Sequence, residues 1–66
     1  MEIKKGDIVI IKGSAEEQIY KGQKFEVLCA PYIICGCEVV KIKCHETGKY
    51  FGGGYATKYL EVQKEG

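Results

Sequence analysis

The sequence predicts an all-β domain: a small, five-stranded, strongly bent antiparallel barrel with at most one short helical turn. Three observations carry that expectation. β-Branched and aromatic residues fall in short alternating runs, and glycines and charges punctuate them at intervals of about ten residues. No segment sustains the three-and-four apolar spacing that a helix needs. At 66 residues the chain reads as one domain, because a second core would have nothing left to bury.

Lys5-Gly6-Asp7 is a turn that leads into a β-branched run, Ile8-Val9-Ile10-Ile11-Lys12, bounded by Gly13-Ser14. Ser14 to Gln18 has room for one helical turn, with Ser14 as N-cap and Glu17 three residues on. Tyr20-Lys21-Gly22-Gln23 resets the chain for a second strand, Lys24 to Ala30, with Phe25, Val27 and Cys29 on one face. Pro31 ends that strand, or confines the next stretch of chain to an edge. The third and longest strand is expected over Glu38 to His45, with Val40, Ile42 and Cys44 on one face and Lys41, Lys43 and His45 on the other. Glu46-Thr47-Gly48-Lys49 is a hairpin connection in which Gly48 supplies a positive φ. Tyr50-Phe51-Gly52 opens a fourth strand, broken by Gly53-Gly54. Tyr55 to Tyr59 reads as an irregular or 3₁₀ turn, Leu60-Glu61-Val62 as a closing strand, and residues 63–66 as a frayed tail.

Composition excludes several classes of function. All ten basic residues are lysine, and the net charge is +1. Arginine supplies the planar fork that reads guanine edges, so its absence weighs against sequence-specific nucleic-acid recognition. No apolar run approaches the roughly 20 residues of a membrane span. Residues 1–5 carry no signal-peptide core, so a cytoplasmic protein without membrane contact is expected.

The order of these motifs has a resemblance. Lys5-Gly6-Asp7 before one strand, Lys21-Gly22-Gln23 before a second, and Ala56-Thr57-Lys58-Tyr59-Leu60-Glu61-Val62 at the end resemble the small Src-homology-type or KOW-type β-barrel proteins of bacteria and their phages. The Src-homology resemblance implies a proline-peptide groove with Tyr59 at the position of its 3₁₀ tyrosine. The groove tryptophan has no counterpart here, and the acidic loop segment is reduced to Glu16-Glu17. The KOW version implies nucleic-acid or ribosome contact.

The cysteines are the sharpest chemical feature. Cys29, Cys35, Cys37 and Cys44 fall within sixteen residues and His45 comes directly after them. Structural zinc sites generally pair cysteines two to four residues apart, a spacing absent from C-x5-C-x-C-x6-C. No cofactor is therefore expected. Zinc held by Cys29, Cys35, Cys37 and either Cys44 or His45 stands as the alternative. A cysteine nucleophile needs a base within reach, and His45 points to the opposite face of its strand from Cys44. No enzyme is expected. Gly52-Gly53-Gly54 lacks the helix and Lys-Ser/Thr pair of a P-loop, and reads instead as a bend or bulge.

What remains points to a binding surface. Ile33 and Ile34, with Pro31 and Tyr32, form an apolar connection where polar turn residues are ordinary. Ile8 and Ile10 face outward if Val9 and Ile11 face inward. Tyr55 and Tyr59 pair apolar rings with polar tips and suit contact. The expected function is a non-enzymatic protein-binding module acting through Ile8, Ile10, Tyr32, Ile33, Ile34, Tyr55 and Tyr59. By analogy it would be a phage or mobile-element adaptor, or an inhibitor directed at a host defence enzyme. One version is a homo-oligomer built through Ile8 and Ile10 or through the Tyr32–Ile34 segment. The alternative is a weak nucleic-acid module using Lys41, Lys43, Lys49 and Lys58 around the tyrosines.

Overall fold

The computed structural model of the chain describes residues 3–63. Six strands, β1 (Ile8–Ile11), β2 (Phe25–Val27), β3 (Tyr32–Ile34), β4 (Cys37–Cys44), β5 (Tyr50–Ala56) and β6 (Leu60–Val62), form one antiparallel sheet, with a single 3₁₀ turn at Thr57–Tyr59. The all-β class and the single short helical turn are as the sequence predicts. The strand count and the closure are not. The order is β3-β4-β2-β1-β6 with β5 on β4, and the sheet does not close into a barrel, since β5 and β6 are unpaired with each other.

The additional strand is β3. The stretch expected to be a loop after Pro31 pairs with the start of β4, matching Tyr32 with Val39, Ile33 with Glu38 and Ile34 with Cys37. A two-residue turn makes this possible. Cys35 and Gly36 both take positive φ, 51° and 79°, as a tight hairpin turn with a twist matched to its strands requires. β4 therefore starts one residue earlier than the sequence suggests, at Cys37.

β4 is the spine of the sheet. β5 occupies one of its edges, while β2 and β3 succeed one another along the other. Between those two strands the register shifts by two residues, absorbed by the segment from Leu28 to Pro31. β5 runs on through the three glycines rather than stopping at them. Opposite them, between Val40 and Ile42, the ladder is irregular, and the extra residues are the bulge that consecutive glycines permit.

The core lies on one face of the sheet. Val9, Ile11, Phe25, Val27, Val40, Ile42 and Cys44 are buried there, and Tyr20, Phe51, Tyr59, Leu60 and Val62 pack against them. The alternation expected for β1, β2 and β4 is thus borne out. Cys29 is only half-buried, because β2 ends at Val27 and the chain has begun its bend. The expected helical turn at Ser14 to Gln18 is a series of hydrogen-bonded turns instead. Ser14 Oγ accepts from the Glu16 amide at 3.2 Å, and Glu17 Oε1 from the Gly13 amide at 2.9 Å. Of the expected frayed tail, Gln63 is bonded to the Ile8 carbonyl at 2.7 Å, and residues 64–66 lie outside the described residues.

Candidate binding surface

The long β1–β2 connection is tied to the core by two tyrosines. Tyr20 meets Phe25 and Phe51 edge-on, with ring centroids 5.8 and 5.6 Å apart. Phe51 in turn meets Tyr55 at 5.1 Å. Tyr55 is buried, and its hydroxyl donates to Glu16 Oε1 at 2.9 Å and meets Ser14 Oγ at 3.0 Å. That corrects the expectation that Tyr55 is a contact residue. It lies within β5, before the 3₁₀ turn, so its ring falls on the core face with Phe51 and its polar tip is already satisfied.

The Tyr55 phenol is held above its ordinary value, chiefly by burial, with Glu16 adding to the rise and the Ser14 hydrogen bond opposing it. The folded chain therefore keeps a proton that the unfolded chain gives up. This contribution to stability is complete below the ordinary tyrosine value and is lost as pH rises through the raised one. Thermal melts should show Tyr55→Phe about 1 kcal/mol less stable at neutral pH. The variant should also lose less stability than the wild type above about pH 10. Parallel alkaline curves for the two proteins would contradict this account.

Ile8 and Ile10 are half-buried rather than open. Their cross-strand neighbours are Glu26 and Glu61, and Lys12 pairs with Glu61 at 3.5 Å. Charged side chains therefore flank the row where an apolar patch was expected. Tyr59 is half-buried on the 3₁₀ turn. With Ser14, Glu16, Gly54, Tyr55 and Ala56 it lines a shallow, open groove. Lys58 Nζ stands 5.1 Å from the Tyr59 ring centroid, and Lys49 Nζ the same distance from that of Phe51. Lys41 and Lys43 sit on the opposite face of β4 from Val40 and Ile42, with Lys43 directly opposite Tyr50. The four lysines thus do not converge on one aromatic group.

The cysteines separate in the same way. Cys44 is fully buried at one end of β4, and Cys35 and Cys37 are exposed at the other. Eight strand residues span on the order of 25 Å, so one tetrahedral site cannot take both Cys44 and the Cys35–Cys37 pair. His45 lies on the far face from Cys44, paired with Glu26. Hydrogen bonding from Thr47 holds the Cys44 thiol below its ordinary value, against the effect of burial. Among the described residues, no group of three or more metal-ligating side chains comes together.

Among the described residues the exposed large apolar side chains are Ile19, Tyr50 and two consecutive residues of β3. Ile33 is 65% exposed and Ile34 is 44% exposed. Tyr32, beside them, is half-buried and leans across β4: a Cβ on Gly54 would lie 2.8 Å from Tyr32 Oη and 2.7 Å from Val39 Cγ2. The 3₁₀ turn steadies the hairpin at its middle pair, where Thr57 Oγ1 donates to Glu38 Oε1 at 2.8 Å. β3 pairs with β4 alone and ends the strand order, so its other edge is unpaired among the described residues. The closing pair of a two-residue hairpin, Ile34 with Cys37, exchanges both backbone hydrogen bonds. By alternation, the amide and carbonyl of Ile33 then point to the unpaired edge. Ile19, 66% exposed in the β1–β2 connection, was not among the expected contact residues.

Comparison with known proteins finds no matching family model, no matching curated protein and no matching solved structure. No helix among the described residues is long and apolar enough to cross a membrane.

Proposed function

We propose that the chain is a non-enzymatic protein-binding module that takes an extended segment of its partner along the edge of β3. One observation carries this reading: two consecutive exposed isoleucines sit on a strand with an unpaired edge and no charged residue. Such edges are ordinarily blunted by lysine, proline or a covering loop, because they template pairing with another chain. Here Pro31 guards only the entrance. Main-chain hydrogen bonds from Ile33 would supply affinity, and the side chains of Ile33 and Ile34, on opposite faces, would supply selectivity.

The succession of β2 and β3 along one edge of β4 supports a Src-homology-type plan, since the two count as one bent strand and leave five strand paths. Such a module would act by occupying its partner, as an adaptor or an inhibitor. Its four free thiols support a reducing, cytoplasmic setting. A second reading, contact with a nucleic-acid backbone, draws on Lys43 opposite Tyr50 and on Lys41 along the same strand.

The experiment is capture from the native host by immobilised wild-type chain, Ile33→Lys and Ile19→Lys, with bound proteins identified by mass spectrometry. The reading expects a protein retained by the wild type and by Ile19→Lys, and lost at least tenfold with Ile33→Lys. Capture that is equal across all three proteins defeats it. Retention of nucleic acid that falls steeply with salt and is indifferent to Ile33 favours the second reading.

A further inference from the structure

The same edge is self-complementary. We propose that, without a partner, two copies of the chain pair antiparallel through β3 about a two-fold axis at Ile33. This goes beyond the partner reading, because it concerns the free protein and makes self-pairing a competitor of partner binding.

The geometry is specific. A two-fold interface brings the same surface together from both copies. Centring it on Ile33 opposes the outward amide and carbonyl of one Ile33 to those of the other, so that the two residues exchange both hydrogen bonds. Tyr32 of each copy then faces Ile34 of the other. On that face of the joined sheet, the row Cys37–Ile34–Tyr32–Val39 runs across the axis, twice, with no charged residue in it. The opposite face carries Glu38, Ile33, Ile33 and Glu38. The two Glu38 positions lie three strand spacings apart, about 14 Å, beyond the roughly 8 Å screening length at physiological salt. No like charges are therefore forced together.

The length of the contact is also bounded from within. The next residue pair in the ladder is Cys35 with Pro31. Pro31 has no amide hydrogen to give, and Cys35 has left the extended conformation at φ 51°. Three residue pairs form and no more, and both copies end at the same place. So small an interface is far below the roughly 1,200–2,000 Å² typical of stable complexes, and the expected association is weak and reversible.

Light scattering in reductant, from micromolar to millimolar chain, provides the test. The wild-type mass should rise from 7.4 kDa toward twice that value. Ile33→Lys, which sets two ammonium groups against each other at the axis, should stay at the monomer mass throughout. Ile19→Lys, an equal loss of exposed apolar surface, should dimerise as the wild type does. Circular dichroism checks that each variant is folded, as expected for positions this exposed. Amide exchange at Ile33 should slow as wild-type concentration rises. A wild-type mass that does not change with concentration overturns the proposal, and so does an Ile33→Lys protein that dimerises like the wild type. A monomer that still captures a partner through Ile33 removes self-pairing but leaves the partner reading standing. A dimer that captures nothing does the reverse.

Discussion

Replacing Phe25 with alanine is expected to remove about a third or more of the stability of the domain. Phe25 is fully buried on β2 between β1 and β4, with Tyr20 and Phe51 packed around its ring at 5.8 Å each. Truncating a buried phenylalanine costs about 3–5 kcal/mol. A domain of this length has about 3–10 kcal/mol of stability in total. The loss is therefore between about a third of that total and all of it. It also removes the surface on which Tyr20 anchors the β1–β2 connection, so the Tyr55 contacts with Ser14 and Glu16 lose their support. Urea titration followed by near-ultraviolet circular dichroism measures the effect. A midpoint lowered by about 2–4 M, or no folded baseline at all, is the expected result. Phe25→Leu, which keeps most of the volume, should remain folded. A loss under about 1 kcal/mol for the alanine variant would mean that the core is not centred on this ring.

How far the sequence discloses this fold depends on the segment. β1, β2 and β4 are legible because each buries one face in an alternating row, with Val39 the one residue of β4 buried on the other face. Val9 and Ile11, Phe25 and Val27, and Val40 and Ile42 alternate with residues that turn outward, and two-residue periodicity reports that directly. β3 is not legible by that signal. Tyr32, Ile33 and Ile34 are apolar on both faces, and the turn after them starts with a cysteine in a position where asparagine, aspartate or glycine is usual. The residues of the candidate site can thus be named from composition, while the strand that presents them cannot.

Tyr55 is a different case, because a usable signal was present. It stands four residues from Phe51, so an unbroken strand places both rings on one face. Taking Gly53-Gly54 as the strand's end conceals that parity. The Ser14 and Glu16 contacts to Tyr55 span about forty residues of sequence and have no local signature. They depend on where the bulge delivers the Tyr55 hydroxyl, which is a tertiary outcome.

Gly54 carries the other large expected effect, and it bears on the candidate surface itself. Its φ is +95°, and an added Cβ would lie 2.7 Å from Val39 Cγ2 and 2.8 Å from Tyr32 Oη. Alanine there incurs about 1–2 kcal/mol of backbone strain and an overpacking cost of about 1–3 kcal/mol. Val39 is buried on the central strand and has little room to yield, so the relief must come from Tyr32. Displacing Tyr32 loosens β3 from the sheet, and with it the edge that presents Ile33. Gly54→Ala should therefore lose about 2–5 kcal/mol in urea titration. In the fraction still folded it should also weaken both self-pairing and partner capture. Gly53 is the internal control: it has no positive φ and nothing within 4 Å of an added Cβ, so Gly53→Ala should stay within about 0.5 kcal/mol of the wild type. If the two alanine variants behave alike, Tyr32 is not seated on Gly54. β3 is then held by its pairing with β4 alone, and the case for an edge seated through Tyr32 fails.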